Sequence, residues 1–388
     1  MSHRPAAIVG VGQTHHKSRR LDVSFGGLVR EAAFRALDDA HMTFDDIDAV
    51  VVGKAPDLFE GVMKPELYLS DALGGTGKPF LRVHTAGSVG ATTGIVAASH
   101  VSAGKHDRVL AVAFEKQSEG NAQFALGSGR GASLGAGGAF APYIKSYIHR
   151  SGAPEHIGWL VAVKDRQNAL KNPFAHLKIQ DISLEKVKAS PMLWDPLRYL
   201  ESCPSSDGAC AVIIGSEEVA NAAAADGRPP AWILGASSRS EPSSFPGRDP
   251  VRPQACVLAT QDVYKQAGIT DPRRQIDMAE LYVPFSWYEA IWLEGHGIAE
   301  PGDGWRMIDS GETELTGSFP VNASGGVLSS NPIGASGLLR IAEAANQVRG
   351  MAGEHQVDGA KVALGMAYGA ANQYFSVAVL GSSLHPFD

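Results

Sequence analysis

The apolar positions of this chain fall into short runs separated by glycines, and the runs recur in one order twice. Ala6–Val11 is an apolar run ending among Gly10 and Gly12, the length of a buried strand. From Ser24 the period changes. Leu28, Ala32, Ala36 and Ala40 are four apart, which predicts a helix with one buried face and Ser24 as its N-cap. DDIDAVVVG leads into a second buried strand at Ala49–Val52. PFLRVHTAGSVGATTG then carries a strand into a glycine turn. A helix of small residues follows at Gly90–Ala103, and KHDRVLAVAFE gives a strand at Val109–Phe114.

The second half repeats this order. Ala231–Ala236 reads as a strand and Val257–Ala267 as a helix, and AGITDPRRQIDMAELYV matches DAHMTFDDIDAVVV in pattern. PVNASGGVLSSNPIGASG opens a helix that runs to about Val348, and AKVALGMAYG supplies a strand at Val362–Met366. Strand–helix–strand order in both halves predicts two doubly wound α/β lobes. Between them lies an insertion, Gln117–Ser202, which opens on the flexible run GSGRGASLGAGG. Helical patterns follow near Ala141–Arg150 and Ile157–Leu170, and an insertion of this kind is expected to cover a site. SSDGACAVIIG (Ser205–Gly215) returns as a strand to the first lobe. The expected division is 1–116 with 203–225, an inserted 117–202, and 226–388.

Composition narrows the function classes. Hydrophobic residues make up 44% and charged residues 19%, as in a folded globular chain. Net charge is −7 with no long basic run, which disfavours nucleic acid. The N-terminus reads as a strand, not a signal peptide. No stretch approaches the roughly 18 apolar residues of a membrane span. Cys203, Cys210 and Cys256 form no CxxC spacing, which fits a reducing cytoplasm and no structural zinc. His15 and His16 are adjacent and make a poor ligand pair, so no metal is expected. GVGQTH lacks the third glycine of a dinucleotide fingerprint.

Three motifs carry a family resemblance. PVNASGGVLSSNPIGASG is similar to the thiolase pattern N-x-S-G-G followed by G-H-P-x-G-A-T-G. ELYVPFSWYE resembles the H-D-x-F-x-x-N-E block of the sterol-carrier-protein type, and SSDGACAVII fits the return strand. The resemblance spans essentially the whole chain. It implies a thiolase-like duplicated five-layer αβαβα fold with an inserted loop domain. The departures from the family are chemical. The nucleophilic cysteine position falls on Ala86, with Ser88 matching the following serine. The histidine of G-H-P becomes Asn331, that of H-D-x-F becomes Tyr282, and the asparagine of the same block becomes Tyr288. The second cysteine falls at about Ala367, beside Tyr368.

Thiolase chemistry needs a thiolate to hold an acyl group, and alanine has none. The replacements resemble those of bacterial thiolase-like aldolases that shorten steroid side chains and are often labelled lipid-transfer proteins. Tyr282 matches a tyrosine that acts in one branch of that family; the second tyrosine of that branch falls where this chain has Asn331. A retro-aldol cleavage of a 3-hydroxyacyl-CoA needs donors for an enolate oxygen and proton carriers, not a covalent intermediate. Asn331, just before Pro332 and Gly334 at a helix start, suits the oxyanion; so do the backbone around Ala86–Ser88, Gly326 and Gly334. Tyr282 suits an acid, Tyr368 a second hydroxyl, and His84 a relay, with Tyr288 lining the site. Alternation along a strand predicts His84, Ala86 and Ser88 on one side, which would give Ser88 a base; the plainer reading has Ser88 capping the next helix.

The family further implies a homodimer formed through Val83–Ser88 and a small partner with an OB-fold and zinc ribbon. CoA enters only as part of the substrate, and no bound cofactor is expected. Two other functions stay open: an acyltransferase using an unrecognised nucleophile such as Ser88, and a non-catalytic acyl-CoA or lipid binder.

Overall fold

The computed structural model describes residues 4–387 apart from 56–61, 63, 121–134, 243–246 and 250. The first half contributes β1 (Ala6–Gln13), α1 (Phe25–Ala40), β2 (Ala49–Lys54), β3 (Phe80–Val83), α2 (Val89–Ser102) and β4 (Arg108–Lys116). The inserted segment carries α3 (Gly135–Ser151) and α4 (His156–Lys171). The chain returns in β5 (Asp207–Ser216) and α5 (Glu217–Ala225). The second half is β6 (Ala231–Ser240), α6 (Gln254–Ala267), β7 (Met278–Glu280), α7 (Tyr288–Gly295), α8 (Ile333–Val348), β8 (Val362–Gly369) and β9 (Tyr374–Gly381). Every strand and helix expected from periodicity is present. Helix α3 starts six residues before the expected Ala141; the part of the glycine run at 127–134 lies outside the described residues.

The strands join into one nine-stranded sheet in the order β3-β2-β4-β5-β1-β6-β9-β8-β7. Strands β2, β3 and β4 are parallel, and β5 runs antiparallel between β4 and β1. The halves meet where Ala7 and Ile8 pair with Trp232 and Ala231. Alternation sorts the first-half side chains cleanly. Ala7, Val9, Val50, Val52, Leu110 and Val112 pack beneath α1 with Leu28, Ala32 and Ala36. Ile8, Ala49, Val51, Val109 and Ala111 face the other way, into the core shared with the second half. Helices α2 and α8 lie in that core and touch strands of both halves, while α1 and α5 cover one outside and α6 the other. The two halves of this one sheet thus form separate layers on either side of the central helices, giving helix, half-sheet, helix, half-sheet, helix.

Glycine allows the central helices to approach at backbone distance. A Cβ on Gly90 would stand 2.6 Å from the Leu338 nitrogen, and one on Gly337 would stand 2.7 Å from the Ala91 nitrogen. Both helices begin at the same end of the sheet, so the segments before them, Ala86–Ser88 and Asn331–Pro332, converge. Among the described residues no helix is long and apolar enough to cross a membrane.

Candidate active site

Tyr282 follows β7 by two residues, and its backbone is held from three sides. The Leu281 nitrogen donates to Asn322 Oδ1 at 2.8 Å, the Tyr282 nitrogen lies 3.3 Å from Met366 Sδ, and Trp292 Nε1 donates to the Tyr282 carbonyl at 2.9 Å. Asn322, in the left-handed region at φ 55°, donates through Nδ2 to Asp165 at 3.2 Å. Asp165 belongs to α4, so the insertion supports the tyrosine through one asparagine. Lys164 beside it donates to Glu289 at 2.7 Å and to the Val321 carbonyl at 2.8 Å. Burial pushes both carboxyl groups up, and Lys164 opposes that rise.

The Tyr282 side chain is buried, and its hydroxyl donates to Asn331 Oδ1 at 3.3 Å. Ser336 Oγ, on the first turn of α8, donates to the same oxygen at 2.8 Å. These two donors orient the amide, so Asn331 Nδ2 points at Cys203 Sγ, 3.2 Å away. The Asn331 backbone is pinned as well: its nitrogen donates to Ser206 Oγ at 3.1 Å and its carbonyl accepts from Gln117 Nε2 at 2.7 Å. His176 Nδ1 lies 2.8 Å from Ser206 Oγ. Burial pushes Tyr282 well above the ordinary phenol range, so it holds its proton at neutral pH.

Tyr368 stands edge-on to Tyr282 with ring centres 5.4 Å apart, and Tyr288 stacks on Tyr368 at 5.5 Å. Trp292, Phe375 and Phe140 complete the cluster. Phe140 comes from α3, which brings the insertion onto the site. The Tyr368 hydroxyl is buried and has no hydrogen-bond partner among the described residues. Burial pushes the Tyr368 phenol well up, and the neighbouring Tyr288, Tyr282, Cys203 and Tyr143 add to the rise.

The turn that carries Ala86 comes up against this cluster. Ala86 is left-handed at φ 52°. A Cβ on Gly87 would meet the Tyr368 carbonyl at 3.0 Å and the Tyr282 hydroxyl at 4.0 Å. Gly369 fits under the same turn, where a Cβ would lie 2.6 Å from the Gly87 nitrogen. A run of hydroxyls ties the turn to the second half: Thr85 Oγ1 is 2.7 Å from Thr92 Oγ1, which is 2.8 Å from Ser376 Oγ.

Several expected site residues stand elsewhere or act differently. Strand β3 ends at Val83, so alternation does not extend to Ser88, and His84, just past the strand, is exposed. Ser88 occupies the N-cap position of α2, as expected, but its side chain makes no capping hydrogen bond. Its hydroxyl donates to the Thr85 carbonyl at 2.7 Å and to Thr85 Oγ1 at 3.0 Å. Gly334 packs against the Phe114 carbonyl, where a Cβ would lie at 2.2 Å; Gly326 packs against Asn322 and Asp165. Close packing accounts for both glycines. The residues brought together are Tyr282, Asn331, Tyr368, Tyr288 and the Ala86 turn. Sequence reading missed Cys203, Ser206, His176 and Ser336. The serine and cysteine at 206 and 203 sit in the SCPSSDG stretch, whose only sequence signal is its place before the return strand.

Residues 236–382 match the family described as thiolase C-terminal domain-like. Acetyl-CoA acetyltransferase of Methanothermobacter thermautotrophicus is 32% identical, covering 93% of this chain and 95% of that protein. Human sterol carrier protein 2 is 30% identical over 93% of this chain and 69% of its own length. Among solved structures, the Ltp2-ChsH2(DUF35) aldolase superposes with a TM-score of 0.82 at 27% identity, covering 98% of each chain. Human mitochondrial 3-ketoacyl-CoA thiolase superposes with a TM-score of 0.73 at 17% identity, a likeness of fold.

Proposed function

We propose, for a chain that belongs to the thiolase superfamily in its sterol-carrier-protein and lipid-transfer branch, a carbon–carbon lyase that cleaves a 3-hydroxyacyl-CoA. The observation that carries this reading is the Ala86 turn. It keeps a left-handed backbone beside the Tyr282 hydroxyl, yet it presents a methyl group in place of a nucleophile. A site that cannot hold an acyl group is suited to chemistry without a covalent intermediate.

In a retro-aldol cleavage the β-hydroxyl loses a proton, the Cα–Cβ bond breaks, and Cα later gains a proton. The balance is proton-neutral, so the site has only to relay a proton and stabilise an enolate oxygen. Tyr282 arrives protonated and donates to that oxygen, helped by Asn331 Nδ2 and by the start of α8. Tyr368 supplies a second phenol, whose buried hydroxyl has no hydrogen-bond partner among the described residues. The substrate tail in this reading is a broad apolar one such as a steroid side chain, in keeping with the likeness to sterol carrier protein 2 and to the aldolase.

The remaining assignments follow the same family logic. We assign 1–116 with 203–225 to the first half, 117–202 to the cover and 226–388 to the second half. The exposed edge of β3 with His84 would join two copies of the chain. The aldolase neighbour is named with a DUF35 protein, which supports a small OB-fold and zinc-ribbon partner here. The protein would act in the cytoplasm, with CoA entering as part of the substrate and no bound cofactor. The acyltransferase reading has less support, because the Ser88 proton is directed to Thr85. The test is to co-express the chain with such a partner and follow a 3-hydroxyacyl-CoA by mass spectrometry. Release of a ketone or aldehyde with a shorter acyl-CoA is expected. A stable acyl adduct on the protein, without cleavage, would overturn the reading.

A further inference from the structure

Cys203 reaches the site from a segment with no catalytic motif. It lies between the end of the insertion and β5, and its nitrogen donates to the Pro284 carbonyl at 2.9 Å, beside the Tyr282 segment. Its sulfur accepts from Asn331 Nδ2 at 3.2 Å, which leaves the S–H hydrogen to point elsewhere. The residue keeps some accessible surface, whereas Cys210 and Cys256 are fully buried. A second group stands behind Tyr282, edge-on to its ring at 5.4 Å: Tyr368, whose buried hydroxyl has no hydrogen-bond partner among the described residues and feels the charge state of Cys203. Together with Tyr282 these make three proton-bearing groups, of which Tyr282 and Cys203 touch Asn331 and Tyr368 packs edge-on against Tyr282.

We infer that Cys203 is a further catalytic residue, the acid that protonates the α-carbon of the thioester enolate; this rests on the lyase reading above. In that step the π pair of the enolate takes the thiol hydrogen. A Cα–H bond forms, the S–H bond breaks, and its electron pair stays on sulfur as a thiolate. The proton of the β-hydroxyl moves in the same concerted relay: the Tyr282 or Tyr368 phenol accepts it while giving its own proton to sulfur, so no phenolate forms and the thiol is restored. Nothing is oxidised or reduced, and the cycle closes without another reactant.

The surroundings suit both states of the sulfur. Burial pushes the thiol up to about 11, so it carries its proton at neutral pH. The thiolate, once formed, meets Asn331 Nδ2 and the positive charge of Arg166. That guanidinium is fixed by the Leu200, Ser202 and Leu328 carbonyls at 2.9, 3.1 and 2.9 Å. Tyr282 is less suited to the same step, because its hydroxyl serves the enolate oxygen and not Cα.

The reverse of this step is a hydrogen exchange that needs no cleavage. Wild-type protein, with its partner where one is needed, is incubated with acetyl-CoA or propionyl-CoA in D2O, and deuterium at Cα is followed by mass spectrometry. Exchange is expected for the wild type, and Cys203→Ala should slow it by about 100-fold or more. The same variant should keep the wild-type KM for acyl-CoA while kcat falls. In D2O, cleavage of a 3-hydroxy-2-methylacyl-CoA by the wild type should give propionyl-CoA labelled in one configuration. The alanine variant should give a racemic label, because water reaches the planar enolate from either face.

A folded Cys203→Ala variant that exchanges at the wild-type rate with one configuration overturns the assignment, as does a wild type that shows no exchange. Should the variant fail to fold, alkylating Cys203 in the wild-type protein and repeating the exchange gives the same two outcomes. Exchange without cleavage of any 3-hydroxyacyl-CoA would sink the lyase reading and leave the thiol assignment standing. Cleavage with exchange indifferent to Cys203 would do the reverse.

Discussion

The Tyr282 hydroxyl gives its hydrogen bond to Asn331 Oδ1 at 3.3 Å, the same oxygen that accepts from Ser336 at 2.8 Å. The amide therefore loses little when the phenol is removed, since the shorter bond remains. Tyr282→Phe is expected to change stability by about 1 kcal/mol or less, the net worth of one hydrogen bond. Cleavage should fall by about 100- to 1,000-fold, the usual size of a lost donor at a charged oxygen. Steady-state kinetics set beside thermal unfolding will show whether the two effects separate as expected. A variant with wild-type turnover would remove Tyr282 from the chemistry.

A methyl group at Gly87 probes the same site from the opposite side. It would stand 3.0 Å from the Tyr368 carbonyl and 4.0 Å from the Tyr282 hydroxyl, in the space a substrate oxygen must share. Gly87→Ala is expected to destabilise by about 1–3 kcal/mol through crowding. Turnover should drop by roughly 10- to 100-fold, since displacements of about 1 Å disrupt alignment. Circular dichroism before the assay will show that the loss is not simple unfolding.

Ala86 holds φ at 52°, a backbone that L-residues adopt at a cost of about 1–2 kcal/mol. Glycine relieves that strain but loses roughly 0.4–1 kcal/mol to the freer unfolded chain. Ala86→Gly is therefore expected to raise stability by about 0.5–1 kcal/mol, read from denaturant midpoints. Activity should persist, because the lyase reading asks nothing of the methyl group.

Glu201 supplies a pH test. Its carboxylate is fully buried, accepting from Ser286 Oγ at 3.0 Å and from the Arg198 nitrogen at 2.9 Å, and burial pushes it up to about 7. The folded chain thus binds this proton more tightly than the unfolded chain, whose carboxyl titrates near 4.5. Its contribution is fully present below about pH 4.5 and is lost as pH rises to about 7. Glu201→Gln should flatten that decline while keeping the Ser286 contact. Urea midpoints for both proteins between about pH 5 and pH 8 measure the difference.

The fold was legible wherever one face of an element is buried. Leu28, Ala32, Ala36 and Ala40 all point into the core, so four-residue spacing was enough to place α1. The site was legible only where a motif carried it. Tyr282 and Asn331 came from motif positions and do meet. His84 and Ser88 were joined by an alternation that holds only inside a strand, and the strand stops at Val83. Cys203 was out of reach in principle. It touches Asn331 from 128 residues away, and nothing in local pattern records a contact made by the return of a long insertion.

The backbone contact of Gly90 with Leu338, and of Gly337 with Ala91, has a consequence for how this scaffold changes over time. The two helices behave as one mount, and positions 86 and 331 are the tools fitted to its tips. Side chains at the tips can be exchanged while the mount keeps its alignment. A substitution at the crossing, by contrast, displaces both tools at once. Randomised libraries should therefore return active variants with altered chemistry from positions 86, 203 and 331, and almost none from 90, 334 and 337.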